Sequence, residues 1–316
     1  MTSAALLLVY GVTAGTWGAR SLLHAPWARR APRLAIAAWQ AVAASVLLSL
    51  VAAGAALSIS FQHVRGDLAR LLDLCAENLK HGYASPGGTA AAALGVTAAA
   101  LLTARTLWCG VWATRSDRRE RTALVAVIDL VARNDVSPGA QVLDHGEPYA
   151  FCIGGKRHRL VVTTALLDTL GPEELRAVLA HEEAHLRQRH HVALLVCRTL
   201  FGTLSPFFPV FRRAMAHVRL YAEFSADDSA RRHVGARPLR TALATLACAP
   251  APSGALAASA NDVETRLLRL ADHAHSLTAM GTALVGLAIG ATFLVPFALV
   301  AAPALAMAWE GICLIG

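Results

Sequence analysis

Four long apolar stretches punctuate an otherwise mixed chain, at residues 2–19, 34–60, 89–114 and 277–309. The second has no ionisable residue and exceeds the roughly 20 residues a helix needs to cross hydrocarbon. The fourth is also uncharged, but Pro296 and Pro303 predict a kink or an early exit from the helix. The first lacks the positive charge that precedes the apolar run of a secretory leader; its arginines come afterwards, so an uncleaved span is expected. The third contains Arg105, close enough to the Arg115 end to snorkel. Between the second and third spans, Val64, Leu68, Leu71, Cys75 and Leu79 recur at helical spacing, which predicts an amphipathic external segment over 61–88.

Past the third span the pattern changes. A helix is expected from Arg121 to Arg133. Two β-leaning runs, Tyr149 to Ile153 and Leu160 to Thr164, flank Gly154-Gly155-Lys156 and read as a hairpin. Pro172 after Gly171, followed by Glu173 and Glu174, opens a further helix: proline is tolerated in the first turn, and acids suit its positive end. Another helix is expected from about Val210 to Arg232, and the Ala-, Pro- and Ser-rich run from Ala249 to Ala260 reads as a linker. The predicted fold is mainly α: a membrane protein with about four transmembrane helices and an α+β domain over 115–276 between the third and fourth, ending in a short tail at 310–316.

Composition agrees with the pattern. The chain of 316 residues is 55% hydrophobic and 16% charged, with a mean hydropathy of +0.47, too apolar for an ordinary soluble domain. Arg20, Arg29, Arg30 and Arg33 lie in a loop without acids, and Arg115, Arg118, Arg119 and Arg121 follow the third span. The positive-inside rule then places the first loop and the 115–276 region in the cytoplasm and both termini outside. This topology accounts for much of the net charge of +8, so direct nucleic-acid binding is not expected. The six cysteines form no CxxC pair, and neither a disulfide framework nor a thiolate metal site is indicated.

The chemistry concentrates in the helix opened by Pro172. His181-Glu182-Glu183-Ala184-His185 is an HExxH pentad. Residues four apart share a helix face, so His181 and His185 can both direct imidazoles at one tetrahedral Zn2+, with Glu182 placed as the base for an attacking water. A hydrolytic zinc site commonly takes a third protein ligand. Glu223 on the second helix is expected to supply it, and Asp227, one turn on, to fix the tautomer of a ligand histidine. Asp228 points about 100° away and reads as a solvated acid. His190 and His191, five and six residues beyond His185, fall off the ligand face of a straight helix. Cys152 and Val161 on the hairpin are candidate substrate-edge residues. Tyr221 and Arg231 are the candidate oxyanion donors.

The stretch Pro172 to His185, Pro206-Phe-Phe-Pro-Val-Phe-Arg-Arg213 and Glu223-Phe-Ser-Ala-Asp-Asp228 resemble the integral-membrane gluzincin peptidases, both the BlaR/MecR-type antirepressors and the HtpX and CAAX-prenyl-protease type. Three spans, a zinc domain and a fourth span is the BlaR/MecR arrangement. That resemblance implies a zinc metalloendopeptidase engaged in regulatory proteolysis, with a winged-helix transcriptional repressor as a substrate and either self-association or a separate sensor subunit. The HtpX branch implies quality control or peptide maturation instead. A non-catalytic signalling subunit with a structural metal is the reading of another class. No SxxK motif is present, so direct β-lactam sensing is not expected.

Overall fold

The structure, a computed structural model, describes residues 2–58, 88–131, 133–137, 140–155, 158–248, 256–272 and 276–313; all but the last residue of the 61–88 amphipathic segment, and the 314–316 end of the tail predicted from sequence, lie outside them. The N-terminal apolar stretch is helical as α1 (Thr2–Thr13), which passes through a π-helical turn (Ala14–Gly18) into α2 (Ala19–Leu23). A short α3 (Pro26–Arg30) leads to α4 (Pro32–Ser58). The third apolar stretch and the Arg121 helix are one element, α5 (Gly88–Val131). No glycine or proline intervenes between Thr114 and Val131 to stop it. At 1.5 Å per residue it is about 66 Å long. The last long helix is α12 (Ala279–Cys313).

Among the described residues, three helices are long and apolar enough to cross a membrane: Pro32–Leu57, Ala90–Leu130 and Ala279–Ala302. Half of the apolar window of the first is buried inside the protein, against 6% for the other two, so α4 is the centre of the group. Leu94, Leu101, Trp108 and Trp112 on α5, and Leu284, Leu287 and Phe297 on α12, are exposed, as lipid-facing side chains should be. Helices α4 and α5 cross at glycines: a Cβ on Gly54 would come within 2.5 Å of the Gly95 carbonyl oxygen, and one on Gly95 within 2.6 Å of the Gly54 carbonyl. Small residues are what lets two backbones approach that closely.

Between α5 and α12 a four-stranded sheet forms from β1 (Arg133–Ser137), β2 (Ala140–Leu143), β3 (Ala150–Ile153) and β4 (Arg159–Thr163), in the order β1-β2-β4-β3. The predicted hairpin is present as antiparallel β3 and β4, with Cys152 opposite Leu160. Strand β2 then pairs parallel to β4. Thr163 ends β4 and caps α6 (Thr164–Thr169), its hydroxyl accepting from the Leu166 amide. The helical remainder is α7 (Pro172–Arg187), α8 (His190–Leu204), α9 (Val210–Val234), α10 (Ala236–Cys248) and α11 (Leu256–Ala271). Helix α11 begins inside the stretch that composition marks as a linker.

The largest core joins the apolar helices to this region. Trp39 of α4 packs edge-on against Phe201 of α8 and Phe211 of α9, with ring centroids 6.0 and 6.2 Å away, and Ala35, Val46, Phe208, Val218 and Phe224 are buried with them. Truncating one such aromatic ring would cost about 3–5 kcal/mol. Arg105, expected to snorkel, instead donates to the carbonyls of Gly202 (2.8 Å) and Thr203 (3.1 Å). A guanidinium at the negative end of α8 satisfies carbonyls that have no partner within the helix.

Candidate functional site

Two helices present the ligand residues, and small side chains bring them together. On α7 the buried residues Ala177, Val178, His181 and Ala184 follow the helical repeat, so the face that packs inward also carries His181. Ala177 lies in one cluster with Ala230 of α9, both fully buried, and the absence of bulk there lets Glu223 and Asp227 of α9 reach across to α7.

His181 Nε2 is 3.1 Å from His185 Nε2 and 3.2 Å from Glu223 Oε2, and His185 Nε2 is 3.5 Å from Glu223 Oε1. Tetrahedral zinc with bonds of about 2.0–2.1 Å separates its ligands by roughly 3.3 Å, so the spacing fits the ion. The protonation pattern fits as well. His190 Nε2 faces Gln188 Oε1 at 3.0 Å, and its Nδ1 faces His185 Nδ1 at 2.8 Å. Gln188 Oε1 can only accept, so the His190 proton is on Nε2 and His190 Nδ1 must accept from His185 Nδ1–H. The His185 Nε2 lone pair is thereby aimed at the cluster. Burial, reinforced by the neighbouring His185, lowers the His190 pKa to about 3, which keeps it the neutral acceptor this pattern requires.

His181 Nδ1 lies 3.0 Å from Asp227 Oδ1, but the approach is too oblique to complete a hydrogen bond, and this buried nitrogen has no well-directed partner. Burial opposes protonation of His181, yet Asp227 and Glu223 outweigh it and raise its pKa to about 9. Burial likewise opposes ionisation of Glu223, but the two histidines and Arg266 hold its carboxyl well below the usual range. With His181 deprotonated, two imidazole lone pairs and a carboxylate converge at about 3 Å, with the Arg266 guanidinium at one side of the group. A divalent cation is the group that such a donor set accommodates.

Sequence reasoning thus named residues that the fold brings together: His181, His185, Glu223 and Asp227. Glu182 is half-buried beside the cluster. Burial, together with the neighbouring Glu182 carboxylate, pushes the Cys152 thiol up to about 12. Cys152 lies on β3, the outer strand of the sheet, whereas Val161 does not fit the edge expected of it. It belongs to β4, paired on both sides and fully buried.

Neither oxyanion candidate turns toward the ligands. Tyr221, two residues and about 200° from Glu223 around the helix, packs on Phe224 and His217. Arg231 reaches toward Asp228 at 4.0 Å. The guanidinium beside the site is Arg266 on α11, which sequence reasoning missed. Its Nη1 is 3.1 Å from Glu223 Oε2, its Nη2 2.7 Å from Asp227 Oδ1, and its Nε 2.9 Å from Asp227 Oδ2. A signal was available: a fully buried Asp227 facing a histidine that is neutral as a metal ligand needs a counter-charge, and α11 offers arginines three residues apart. The second, Arg269, makes a bidentate pair with Asp228 at 2.9 and 2.7 Å, so Asp228 is not the solvated acid expected.

His190 is the other departure. A straight helix would carry it off the ligand face, but Arg189 adopts the left-handed conformation, φ 51°. This turns the chain and starts α8 at His190, which folds back beneath His185. Glu183 is exposed.

Known proteins resemble this region. Residues 117–218 match the family model described as Peptidase family M48, a segment that contains the HExxH pentad. A protein named Protease HtpX homolog from Acidiphilium cryptum (strain JF-5) is 38% identical over 85 residues, 26% of this chain and 30% of that protein. A protein of the same name from Caldanaerobacter subterraneus subsp. tengcongensis is 35% identical over 80 residues, 25% of this chain and 27% of the relative. The chain thus spans less than a third of the length of these curated relatives. No solved structure matches. The match to the peptidase family model thus covers residues 117–218, in a chain that also has helices long and apolar enough to cross a membrane.

Proposed function

We propose that this chain is a membrane-anchored zinc metalloendopeptidase that hydrolyses polypeptides on the cytoplasmic side. The observation that carries the reading is the convergence of His181 Nε2, His185 Nε2 and a Glu223 oxygen at tetrahedral-ligand spacing, with Glu182 alongside. Zinc, when held by these three residues, supplies a Lewis acid that polarises the scissile carbonyl and acidifies water. Glu182 takes the proton of the attacking water and passes it to the leaving nitrogen. Asp227 faces His181 Nδ1 at 3.0 Å as its counter-charge, His190 orients His185, and Arg266 holds the two carboxylates of α9 in place. An extended substrate adds its backbone to the outer edge of β3, beside Cys152 and so beside Glu182. The arginines of the first loop and of the Arg115–Arg121 segment support a cytoplasmic orientation for the catalytic region.

Of the physiological roles that the sequence leaves open, the HtpX-type one is better supported, because the two relatives, 38% and 35% identical over 85 and 80 residues, carry that name. The test compares cells carrying the wild type with cells carrying Glu182→Gln. That variant should still bind zinc and lose cleavage by about 10²–10⁴-fold. Proteomics of the pair identifies substrates: misassembled membrane proteins accumulating in the variant support the HtpX-type role, and accumulation of a winged-helix repressor would move the reading to the antirepressor type. Unchanged function in the variant sinks the enzymatic reading altogether.

A further inference from the structure

Away from the metal ligands, the segment joining α2 to α4 separates two cavities that differ in chemistry. One is an apolar groove of about 390 Å³ among the N-terminal helix, α4 and α12, walled by Ala14, Gly18, Ala38, Val42, Ala288 and Ile289. The other has a volume of about 700 Å³ and lies between that segment, α9 and α11. His24, Arg29, Arg30, His217, Tyr221 and Asp272 line it. Ala25 lines both, so the two meet at one residue where the helices reach the basic loop.

The second cavity is positive. Arg269, which also lines it, spends its charge on Asp228 and donates its Nε–H to the Arg29 carbonyl at 3.0 Å, pinning the loop as a wall. The guanidinium groups of Arg29 and Arg30 have no ion pair among the described residues, and the one acid in the lining is the exposed Asp272. Two unmatched guanidiniums, two imidazoles and a phenol suit a phosphate. The adjoining groove carries no charged side chain and, apart from Tyr10, Ser21, Trp27 and Thr292, is walled by apolar residues, which suits an acyl chain.

We infer that the paired cavities form a binding site for one anionic phospholipid, with its phosphate headgroup among Arg29, Arg30 and His217 and an acyl chain in the groove between α4 and α12. The inference rests on the membrane reading of those helices and not on peptidase activity. Phe224, next to the ligand Glu223, also lines the basic cavity, so a bound headgroup braces α9 one residue from the metal site.

The experiment uses the full chain in a neutral detergent and phosphate-free buffer. Native mass spectrometry and thermal melting are followed with dioleoylphosphatidylglycerol, dioleoylphosphatidylcholine or inorganic phosphate added. Phosphatidylglycerol should be retained at one per chain and raise the melting temperature, while phosphatidylcholine is retained less and inorganic phosphate leaves melting unchanged. Combining Arg29→Gln with Arg30→Gln should weaken phosphatidylglycerol retention by about tenfold or more. Ala288→Trp, which fills the groove and spares the basic cavity, should weaken it too, with zinc binding unchanged in both variants. If the double arginine variant does not fold, Ala288→Trp and the preference of the wild type between the two lipids decide. Equal retention of the two lipids, or retention indifferent to the folded variants, overturns the inference. Stabilisation by inorganic phosphate equal to that by phosphatidylglycerol, with Ala288→Trp neutral, overturns the lipid assignment in favour of a free anion.

Discussion

Replacing Arg266 with glutamine should separate the metal-free protein from the metal-loaded one. The side chain is 11% exposed and bridges Glu223 and the 1% exposed Asp227 through contacts of 2.7 to 3.1 Å. Without a metal, its removal leaves the buried Asp227 and the partly exposed Glu223 without their guanidinium partner, and breaking a buried pair such as Arg266–Asp227 costs about 3–5 kcal/mol. With zinc in place the balance changes, because the ion neutralises the same carboxylates. Arg266 Nη2 is 3.5 Å from His181 Nε2, hence close to any ion bound there. Unit charges about 4 Å apart interact by about 4 kcal/mol at an effective dielectric of 20, so relief of the repulsion offsets much of the loss. The assay is thermal melting of the full chain in detergent, with a chelator or with stoichiometric zinc. Arg266→Gln should melt well below wild type with chelator and much nearer to it with zinc. An equal drop in both states, or no drop in the chelated state, would refute the reasoning.

His190→Ala should weaken zinc binding by about 10–100-fold, read by chelator competition, since it removes the acceptor that orients His185; His190→Asp, which accepts the same N–H with a charge, should restore or exceed wild-type affinity, and equal affinity in all three proteins would show that the contact does not matter. Zinc must displace a proton from His181, whose pKa without metal is about 9, so apparent affinity should fall by about tenfold for each pH unit below that value. The sign reverses for the metal-free fold: a histidine pKa raised above 6.5 adds stability that is complete below 6.5 and is lost as pH rises through 9, so chelated protein should melt progressively lower across that window. A flat profile in either titration contradicts the charge assignment. Gly54→Val should separate α4 from α5 and cost about 1–3 kcal/mol, measurable as lower melting in detergent, and an unchanged melting temperature would count against the crossing at Gly54 and Gly95.

The parts of the site that sequence revealed are those in which local periodicity decides geometry. His181 and His185 share a helix face by spacing alone, as do Glu223 and Asp227, and the Gly154-Gly155 turn between two β-leaning runs marks β3 and β4. The parts it hid depend on single backbone angles or distant pairings. One left-handed residue, Arg189, turns His190 from a solvated position into the support of His185, and nothing in the spacing announces it. Arg266 comes from a helix beyond an Ala- and Pro-rich stretch, 39 residues after Asp227, and only the charge requirement of a buried carboxylate foretells it. Strands β1 and β2 escaped notice because they are short, and Arg133-Asn-Asp-Val-Ser137 has no apolar alternation.

The two ligand helices rest on different supports. Helix α9 carries Glu223 and is seated on α4 through Phe211 and Trp39, while α7 carries the two histidines and packs on the sheet through Val178 with Val142, Val162 and Leu166. A three-donor site spaced at 3.1 to 3.5 Å tolerates little relative movement of its two supports, so the fold must tie them together near the ligands. It does so with polar contacts as well as with the Ala177–Ala230 approach. Arg33, at the start of α4, donates to Gln188 Oε1 at 3.1 Å and to the Ser225 hydroxyl at 3.3 Å. Gln188 in turn donates to the Ser225 carbonyl and accepts from His190. One side chain from the first turn of a membrane-length helix therefore joins the end of α7, the middle of α9 and, through His190, the ring of His185. The geometry of the proposed metal site is thus set as much by the long apolar helix α4 as by the pentad that announces it.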